Sequence, residues 1–555
     1  MTGRTNNLII EYPGRRILEP LIPRTIDQPK PLHNRFIKQP HNHNPQRMPR
    51  LIHIISAICL LTTSQVEAQT REHAYALTDK DCYVAGERLH VSVRITDDQG
   101  RPSTLSRVAY VEVSDTAAMQ AQGMVSLKDG TGWADIALPP NLHSGCYTLS
   151  VYTRKMRNDG TEFFHRQLIG IVNTQHVTRR DEVLFHDPRS QEQDATPVRR
   201  YQAGREVSVS LPATIQTLSV IRGPLDIQLY EAPALRPQIA PQTPFIPEME
   251  GHIMLARPEG ESQPEKSMLA GIGKGTMLFD GQRSADGTWY YLTHGLTGRL
   301  AVTLHADRSS AMTFLSPYAG VRPSALPKLE VWCTEDGLRQ RSIGAQQEQV
   351  LTQWTERDTL QHSTDFMSRQ PDFFYDVTEY TRFNTVHEAL VEYVKGVQRR
   401  VVEGQTSLYT RDADDVGFNR LPALVLLDGM PVTNVDRILA YDSRLLKYIQ
   451  VYSGSFTLGS TTFHGVISLI THHGLLSNYQ LDEHTRLFLY DFPQDHPEFH
   501  CPDTPETSTV LWNPAVNATH TTFSAPSLPG RYQVLLQGWD SEGTPYRSSM
   551  WIEVE

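Results

Sequence analysis

Runs of alternating apolar and polar residues, separated by turn residues, dominate the chain between residues 69 and 175. Turn clusters lie between the runs, for example at residues 97–100 and 128–130. The runs fall at residues 90–94, 109–113, 132–138, 147–152 and 167–172. A period of two buries one face of each strand, and closely spaced short strands are typical of a β-sandwich. The pattern therefore predicts a β-sandwich over residues 69–175.

The pattern changes several times after this segment. Residues 176–247 predict a linker with short strands, part of it proline-rich. Residues 248–320 carry a second set of short strands and predict another β-sandwich, and residues 481–555 predict a C-terminal β unit. Residues 321–371 predict a connector, within which residues 341–360 are polar with a weak helical period. The chain as a whole is predicted to be mainly β and multidomain.

Residues 372–480 combine strand and helix signals. Asp428-Gly429 predicts a tight turn, because glycine adopts positive φ without a Cβ clash. Residues 436–446 have the apolar spacing of a short amphipathic helix. Three strands are predicted, at residues 423–427, 448–452 and 465–471. Together these elements predict a compact α+β domain.

The N-terminal segment predicts export. Residues 1–47 are polar and predict disorder, whereas residues 48–68 have a basic start, a short apolar run and a small-residue site at Val66-Glu67-Ala68. The apolar run is too short to span a bilayer, so residues 48–68 predict a secretory signal peptide. Residues 1–47 are either a doubtful upstream extension before Met48 or a cytoplasmic tail on a signal anchor. The expected location is the periplasm or the periplasmic face of the outer membrane.

Composition narrows the classes of function. The chain has 555 residues, a formal net charge of −10 and 39% hydrophobic residues, which is enough for several folded domains. An acidic chain argues against nucleic-acid binding, which needs a basic face. No segment after Ala68 is long and apolar enough to predict a transmembrane helix.

Four widely spaced cysteines follow the predicted signal peptide: Cys82, Cys146, Cys333 and Cys501. Their spacing lacks the paired Cys-x-x-Cys pattern of a zinc site. Export permits disulfides, so Cys82 and Cys146 could pair if their strands are adjacent. Buried free thiols are the equal alternative.

Several short motifs resemble catalytic signatures without completing them. Gly271 to Thr276 lacks the residues that a phosphate-binding loop needs on either side of its Gly-Lys pair. Gly454-Ser455-Phe456 lacks the second glycine of a nucleophile elbow. His387-Glu388 lacks the second histidine of a zinc-protease helix, and Glu388 instead fits a capping box with Thr385.

Two further candidates are better explained by structure. His472-His473 lies at a strand end, where adjacent side chains point to opposite faces and do not share a metal. Asp428 precedes a glycine in a predicted hairpin turn. No catalytic, cofactor-binding or metal-binding residues are therefore predicted, and no cofactor is expected.

Two parts of the chain resemble known families. Residues 78–87, 108–113 and 144–149 resemble the second macroglobulin-type domain (MG2) of α2-macroglobulin-like proteins, through the block Asp-Lys-x-x-Tyr-x-x-Gly-Glu. Such proteins trap proteases with a Cys-x-Glu-Gln thioester. The nearest match here, Cys333-Thr334-Glu335-Asp336, has aspartate in place of the glutamine, so thioester trapping is not expected.

Residues 425–432, 445–451 and 463–471 resemble the plug domain of TonB-dependent outer-membrane receptors. A plug-holding barrel would need more than ~200 residues after the plug, so a plug-like domain without its own barrel is expected. Residues 245–253 and 315–318 resemble Bacteroidetes-type envelope proteins that join a macroglobulin-like domain to a plug-like one.

These resemblances imply a non-enzymatic, exported envelope protein that binds another protein, with an outer-membrane barrel among the candidate partners and a link to TonB-dependent transport. One alternative is a macroglobulin-like protease-binding protein or another enzyme regulator. Another is a glycan- or ligand-binding module, which would need exposed aromatics around Trp289, Tyr290 and Tyr291. The alternation of these three predicts that at least one of them points into the core. The ligand, the partner and the oligomeric state are not encoded in any local motif.

Overall fold

The first described domain is a β-sandwich. The computed structural model describes residues 71–175, 183–187, 198–212, 215–228, 230–236, 244–259, 264–273, 275–307, 312–359, 369–412, 417–500, 504–516, 520–539 and 545–555. The strands of the first sandwich are β1 Glu72–Thr78, β2 Cys82–Val84, β3 Arg88–Asp97, β4 Val108–Ser114, β5 Met119–Ser126, β6 Thr131–Ala137, β7 Gly145–Thr153 and β8 His165–Val172. A short helix, α1 Met156–Asp159, and a 3₁₀ turn, Thr161–Phe163, connect β7 to β8.

The two sheets of this sandwich have the orders β1-β3-β6 and β2-β8-β7-β4-β5. Tyr83, Tyr110, Leu149 and Tyr152 are fully buried between them. All five strands predicted from the alternation overlap observed strands, and the structure adds β1, β2 and β5. The strands between Glu72 and Val172 therefore form two sheets around one apolar core.

The middle of the chain supplies a second sandwich and several strands that pair elsewhere. The strands are β9 Val183–His186, β10 Arg199–Tyr201, β11 Glu206–Ser210, β12 Ile215–Arg222, β13 Asp226–Ile227, β14 His252–Pro258, β15 Ser267–Ile272, β16 Thr276–Asp280, β17 Gln282–Arg283, β18 Trp289–Thr293, β19 Arg299–Ala306, β20 Met312–Leu315 and β21 Leu329–Trp332. One sheet of the second sandwich has the order β17-β18-β14-β20, and β13, β21 and β9 form a separate small sheet.

A helix of 25 residues, α2 Glu335–Thr359, occupies much of the predicted connector. Its sequence is polar, which explains why its period is weak. Among its described side chains, Arg341 and Ala345 are the buried ones. Its attachment therefore depends on a buried charge more than on an apolar stripe.

Residues 373–471 form the predicted α+β unit. Its elements are β22 Phe373–Asp376, the 3₁₀ turn Val377–Glu379, α3 Val386–Glu392, β23 Val397–Val402, β24 Gln405–Thr410, β25 Leu424–Leu427, β26 Met430–Pro431, α4 Val435–Leu439, the 3₁₀ turn Ser443–Leu445, β27 Leu446–Leu458 and β28 Thr461–Thr471. The main sheet has the order β22-β27-β28-β25-β26, and β23 pairs with β24 alone. The predicted capping box of Thr385 and Glu388 is present at the start of α3.

The helix predicted over residues 436–446 is shorter than expected. Asn434 caps α4 by accepting a hydrogen bond from the Arg437 N–H, and α4 ends at Leu439. Asp442 then caps the 3₁₀ turn, and Leu446 is already the first residue of β27. The apolar spacing continued past the helix because Leu446 is buried from a strand instead.

The remaining strands are β29 Thr485–Asp491, β30 Thr509–Asn513, β31 His520–Ser524, β32 Gly530–Trp539 and β33 Pro545–Val554. β29 completes the other sheet of the second sandwich, in the order β16-β15-β19-β29. The C-terminal sheet has the order β10-β33-β32-β12-β30, and β11 pairs with β31. Strands of the predicted linker and of the predicted C-terminal unit thus share one sheet.

A buried polar network joins the first sandwich to α2 and to the C-terminal sheet. Arg341 donates to both carboxylate oxygens of Glu87, at 3.0 and 2.8 Å. Lys80 donates to Asp79 at 3.1 Å and to Thr509 on β30 at 2.9 Å. Burial opposes the charged form of Glu87, but Arg341 and Lys80 outweigh it and hold the pKa of Glu87 below its ordinary value. The block that resembles the macroglobulin motif therefore connects the first sandwich to α2 and to the C-terminal sheet.

Two more buried carboxylates join the first sandwich to the second. Glu248 accepts hydrogen bonds from the Tyr110 hydroxyl at 2.8 Å and pairs with His252 Nδ1 at 2.9 Å. Glu112 accepts the backbone N–H groups of residues 319, 320 and 321 at 2.8, 3.0 and 2.9 Å. Burial raises the pKa of Glu112 even though these donors, with the Tyr152 hydroxyl, favour its charged form. Each of these carboxylates thus connects the first sandwich to the segments before or after the strands of the second.

The chain divides into two units, residues 1–68 and 69–555, and every contact described here lies in the second. Among the described helices, none is both long and apolar enough to cross a membrane. The fold class is mainly β and multidomain, with sandwiches and one α+β unit, in agreement with the prediction. The predicted signal peptide, residues 48–68, and Cys501 lie outside the described residues.

Candidate functional site

An open cleft of about 640 Å³ lies where the α+β unit meets the second sandwich. The β23–β24 hairpin forms one wall, the start of α4 forms the floor, and the residues that lead into β29 form the other wall. Four carboxylates line it: Glu403, Asp436, Asp482 and Glu483. Arg437 is the one Lys or Arg among the lining residues, so the cleft is negatively charged. We call it the acidic cleft.

The hairpin wall is set by a tight turn. Glu403 and Gly404 both have positive φ, at 51° and 79°, as a two-residue type I′ turn requires. Before this turn, Val401 and Val402 are 57% and 54% exposed. The hairpin therefore presents one exposed apolar side chain on each of its faces, just before the turn residues that line the cleft.

The opposite wall is held by Asp482. The Thr433 hydroxyl donates to Asp482 Oδ2, and the His484 N–H donates to Oδ1 at 3.1 Å. Burial opposes the charged form, but hydrogen bonds from Thr433 and Thr485 outweigh it and keep the pKa of Asp482 below its ordinary value. Asp482 is therefore ionised at neutral pH.

Arg437 offsets only one of the four carboxylate charges of the cleft. Its Nη1 donates to the backbone carbonyls of Gln480 and Leu481, at 2.9 and 2.8 Å. Asp436 lies 3.7 Å from Arg399, but both side chains are well exposed, and such a pair contributes little. Glu403 and Glu483 are exposed. The acidic cleft thus offers charge to a cationic ligand.

Two histidines also line the cleft. Burial lowers the pKa of His305, whose Nδ1 lies 2.9 Å from the Thr485 hydroxyl. The Nδ1 atom of His484 is buried and has no hydrogen-bond partner among the described groups. No group of three or more His, Cys, Asp and Glu in the described part of the chain is arranged to hold a metal ion. The predicted absence of a metal site stays a prediction for the chain as a whole.

β29 leaves the acidic cleft as the edge strand of its sheet. Ala306 N–H donates to the His484 carbonyl at 3.0 Å, and Phe492 N–H donates to the Gly298 carbonyl at 2.8 Å. In an antiparallel ladder, alternate residues bond to the neighbouring strand, so the even-numbered residues of β29 bond to β19. The backbone groups of Leu487 and Leu489 therefore point away from the sheet.

The side chains of β29 also separate by parity. Phe488, Tyr490 and the following Phe492 pack into the core of the second sandwich. Leu487 and Leu489 lie on the other face and are 36% and 51% exposed. We call the outward backbone groups of residues 487–491, with these two leucines, the free edge of β29; the N–H of Thr485 already donates to the Asp482 carbonyl at 3.2 Å.

Asp428 is a structural residue, in line with the sequence interpretation. It has φ 47° and lies in the turn between β25 and β26. Its carboxylate accepts hydrogen bonds from the Thr471 N–H at 2.7 Å, the Thr471 hydroxyl at 2.8 Å and the Leu476 N–H at 2.9 Å. The carboxylate thereby fixes the end of β28 to the turn.

The other motif residues are not brought together. Gly271 lies in the antiparallel pair β15–β16, which gives no strand-to-helix switch for a phosphate. Ser455 Oγ lies 3.4 Å from His464 Nδ1 at an exposed site. Glu388 caps α3, and His472 and His473 are exposed beyond the end of β28.

The aromatic cluster of the ligand-binding alternative is mostly buried. Trp289 and Tyr291 are 3% and 0% exposed and belong to the core of the second sandwich. Tyr290 lies on the other face and donates to Gln282 at 2.6 Å. The prediction that at least one of the three points into the core is confirmed, and they do not form an exposed platform.

The three described cysteines are free thiols in one apolar cluster. Cys82 on β2 and Cys146 on β7 are both opposite Gly170 of β8, so a whole strand separates them. Two strand spacings are ~10 Å, beyond the reach of a disulfide. The condition for pairing, adjacent strands, is not met.

The sequence analysis did not single out the residues of the acidic cleft. Glu403-Gly404 after two valines is a recognisable hairpin signal and could have been found. Asp436, Asp482 and Glu483 are ordinary surface residues in sequence, and only the pairing of β29 with β19 brings them together. The signal for this site is therefore mostly non-local.

Comparisons with known proteins place the chain in no family. Neither a protein-family profile nor a curated protein matches it. Among solved structures, a Salmonella alpha-2-macroglobulin mutant aligns with 88% of this chain and 40% of its own, at 10% identity and TM-score 0.22. Escherichia coli alpha-2-macroglobulin activated by porcine elastase aligns with 87% and 44%, at 8% identity and TM-score 0.22.

A β-glucosidase from Listeria innocua aligns with 19% of this chain and 16% of its own, at 15% identity and TM-score 0.14. The chain thus spans less than half of each of these structures. TM-scores this low do not establish a common fold. The plug-like resemblance and the envelope-protein resemblance rest on the sequence alone.

Proposed function

We propose that this chain is an exported, non-enzymatic protein of the cell envelope that binds another protein near the outer membrane. The observation that carries the proposal is the acidic cleft, open to solvent and flanked by exposed apolar side chains on the β23–β24 hairpin and on β29. Exposed apolar side chains next to accessible charges allow a partner to be held by apolar contacts and guided by charge complementarity. Export is supported by the signal-peptide pattern of residues 48–68.

The use of the buried ionisable groups supports a binding role over an enzymatic one. Asp79, Glu87, Glu112 and Glu248 are all buried, and each has its carboxylate occupied by bonds that join elements of the fold. A catalytic acid or base must reach its substrate. These four carboxylates therefore serve structure, whereas the carboxylates of Glu403, Asp436 and Glu483 in the acidic cleft are accessible.

The link to TonB-dependent transport comes from the plug-like resemblance of residues 425–432, 445–451 and 463–471. On this proposal, the partner is a protein at the periplasmic face of the outer membrane, such as a barrel. The acidic cleft is lined by His305 of the second sandwich and by Glu403 and Asp436 of the α+β unit, and the two units also touch where Thr276 donates to the Gly429 carbonyl at 2.7 Å. Docking at the cleft would therefore bring the partner against both units.

Site-specific photocrosslinking in intact cells tests the proposal. A photoreactive residue replaces Glu403 or Glu483 in the full chain, and the matched control carries it at Gln99, an exposed turn residue of the first sandwich. We expect both cleft positions, and not Gln99, to crosslink to the same envelope protein. Equal labelling from Gln99, or recovery as an uncrosslinked periplasmic monomer from all positions, would overturn the proposal. Crosslinking to secreted proteases instead would favour the macroglobulin-like alternative.

A further inference from the structure

We propose that the free edge of β29 binds an extended segment of the partner as an added β-strand, and that a lysine or arginine of that segment enters the acidic cleft. This inference rests on the proposed function, and it specifies how the partner is bound. Strand addition uses the outward N–H and C=O groups of an edge strand for affinity and alternate side-chain contacts for specificity. The free edge of β29 supplies both the outward backbone groups and the alternate side chains.

The edge is long and regular. β29 pairs with β19 over seven consecutive residue pairs without a register shift, from Arg299 opposite Asp491 to His305 opposite Thr485. It contains no proline or glycine. Proteins commonly shorten, bend or cover edge strands to prevent unwanted pairing. None of these protections is found on β29 in the described part of the structure.

Three other edges of the described sheets are short or already bonded. β26 and β17 have two residues each, and Pro431 of β26 has no backbone N–H. On β6, the side chain of Gln494 bonds the Asp135 N–H and carbonyl at 2.9 and 2.8 Å. On β29, by contrast, the outward backbone groups of Leu487 and Leu489 have no hydrogen bond in the described part of the structure.

The chemistry of the ligand follows from the two ends of the site. Along β29, the exposed side chains of Leu487 and Leu489 favour apolar residues at alternate positions of the added strand. At the start of β29, Asp482 and Glu483 line the cleft, so a cation fits there. A fully extended segment of about seven residues, ~23 Å long, matches the strand. We infer a segment that alternates apolar residues and carries Lys or Arg at one end.

A synthetic peptide tests this directly. It alternates valine with threonine along the length of β29 and carries two lysines at each end, so that either strand orientation places lysine at the cleft, and the control peptide carries two glutamates at each end. Binding to the full chain is measured by fluorescence anisotropy. We expect the lysine peptide to bind at least tenfold more tightly, because steering and pairing favour opposite charges. Glu483→Gln should narrow this difference. Equal binding of the two peptides would overturn the cationic end of the segment.

The backbone is tested by Leu489→Pro. This change removes an outward N–H and leaves the bonds to β19, which come from even-numbered residues. Leu489→Thr is the matched control, because it keeps the N–H while removing the leucine. We expect Leu489→Pro to weaken peptide binding roughly tenfold or more and Leu489→Thr by a few fold. Wild-type affinity for Leu489→Pro would overturn strand addition.

Amide exchange on protein labelled with ¹⁵N-leucine gives a second readout. On peptide addition, the N–H groups of Leu487 and Leu489 should exchange at least tenfold more slowly, whereas that of Leu304, inside the sheet, should not change. Protection that grows with protein concentration without peptide would show that a second copy of the chain binds the edge, and would overturn the partner assignment.

The two proposals fail separately. If the cleft positions crosslink to an envelope protein while that complex leaves both leucine amides unprotected, strand addition is wrong and the binding function stands. If no cleft position crosslinks, the proposed function itself fails.

Discussion

Removing the guanidinium of Arg341 should release α2 from the first sandwich. The Arg341 and Glu87 side chains are only 4% and 3% exposed, and Arg341 also donates to the Cys82 carbonyl at 3.1 Å. Arg341→Met keeps an unbranched side chain with similar helix propensity while removing the charge. It leaves Glu87 buried with one remaining cation, Lys80, at 3.5 Å.

The expected cost follows from this geometry. Breaking a buried ion pair by removing one partner costs about 3–5 kcal/mol, because the other charge stays buried. Since Lys80 still neutralises part of the charge of Glu87, we expect the lower end, about 3 kcal/mol. Arg341 and Ala345 are the buried residues among the described side chains of α2, so the loss should appear as local opening of the helix.

Hydrogen exchange detected by mass spectrometry measures that opening. A loss of about 3 kcal/mol corresponds to exchange roughly a hundredfold faster in peptides covering the first half of α2. Arg339→Met is the matched control, because Arg339 is an exposed arginine on the same helix. Adding Glu87→Gln to Arg341→Met should recover part of the loss, since no unpaired charge is then buried.

The reasoning would be refuted by equal exchange in Arg341→Met and Arg339→Met. That result would mean that contacts other than the ion pair hold α2 in place. A uniform increase across all peptides, with no excess in α2, would instead show that the pair contributes to global stability and not to the attachment of this helix.

Three further predictions follow from the buried groups. Asp428→Ala should destabilise the turn by about 2–4 kcal/mol, because two N–H donors lose their acceptor and alanine disfavours positive φ. Asp428→Asn should cost only about 1 kcal/mol. Hydrogen exchange in residues 424–432 measures both effects. Burial opposes the charged form of Glu248, but His252 outweighs it and lowers its pKa. The stability that Glu248 contributes is therefore complete above about pH 4.3 and lost as pH falls through its lower folded pKa, and Glu248→Gln should flatten acid unfolding there. Cys82 and Cys146, whose pKa values burial raises, the latter to about 11, should resist thiol reagents and form no mutual disulfide under oxidant, as read by intact mass.

Local patterns were sufficient for much of the fold. Alternation found the strands around Tyr110 and Tyr147, because each strand buries one face against the same core. The Asp428-Gly429 turn and the Thr385 capping box were readable for the same reason: both depend on residues within a few positions of each other. These features need no information about the distant parts of the chain.

The other features of the fold depend on pairing between distant segments, which local sequence patterns do not predict. β12, from the predicted linker, lies between β32 and β30 of the predicted C-terminal unit, and no local signal joins segments about 300 residues apart. α2 was predicted as part of a connector, because its stability depends on Arg341 reaching Glu87 and not on an apolar face. Its helical period is correspondingly weak.

The candidate site was even less predictable from local sequence patterns than the fold. The acidic cleft combines Glu403 of a hairpin, Asp436 of α4 and Asp482 before β29, each ordinary in its own context. These residues form one cleft because β29 pairs with β19 of the second sandwich. This pairing places the segment that follows the α+β unit against the sheet of that sandwich. That same pairing leaves one side of β29 unpaired in the described structure. The cleft and the free edge thus have one structural cause, and a ligand that used only one of them would leave either the charges or the outward backbone groups unmatched. Loss of binding should therefore be greater for Leu489→Pro combined with Glu483→Gln than for either change alone.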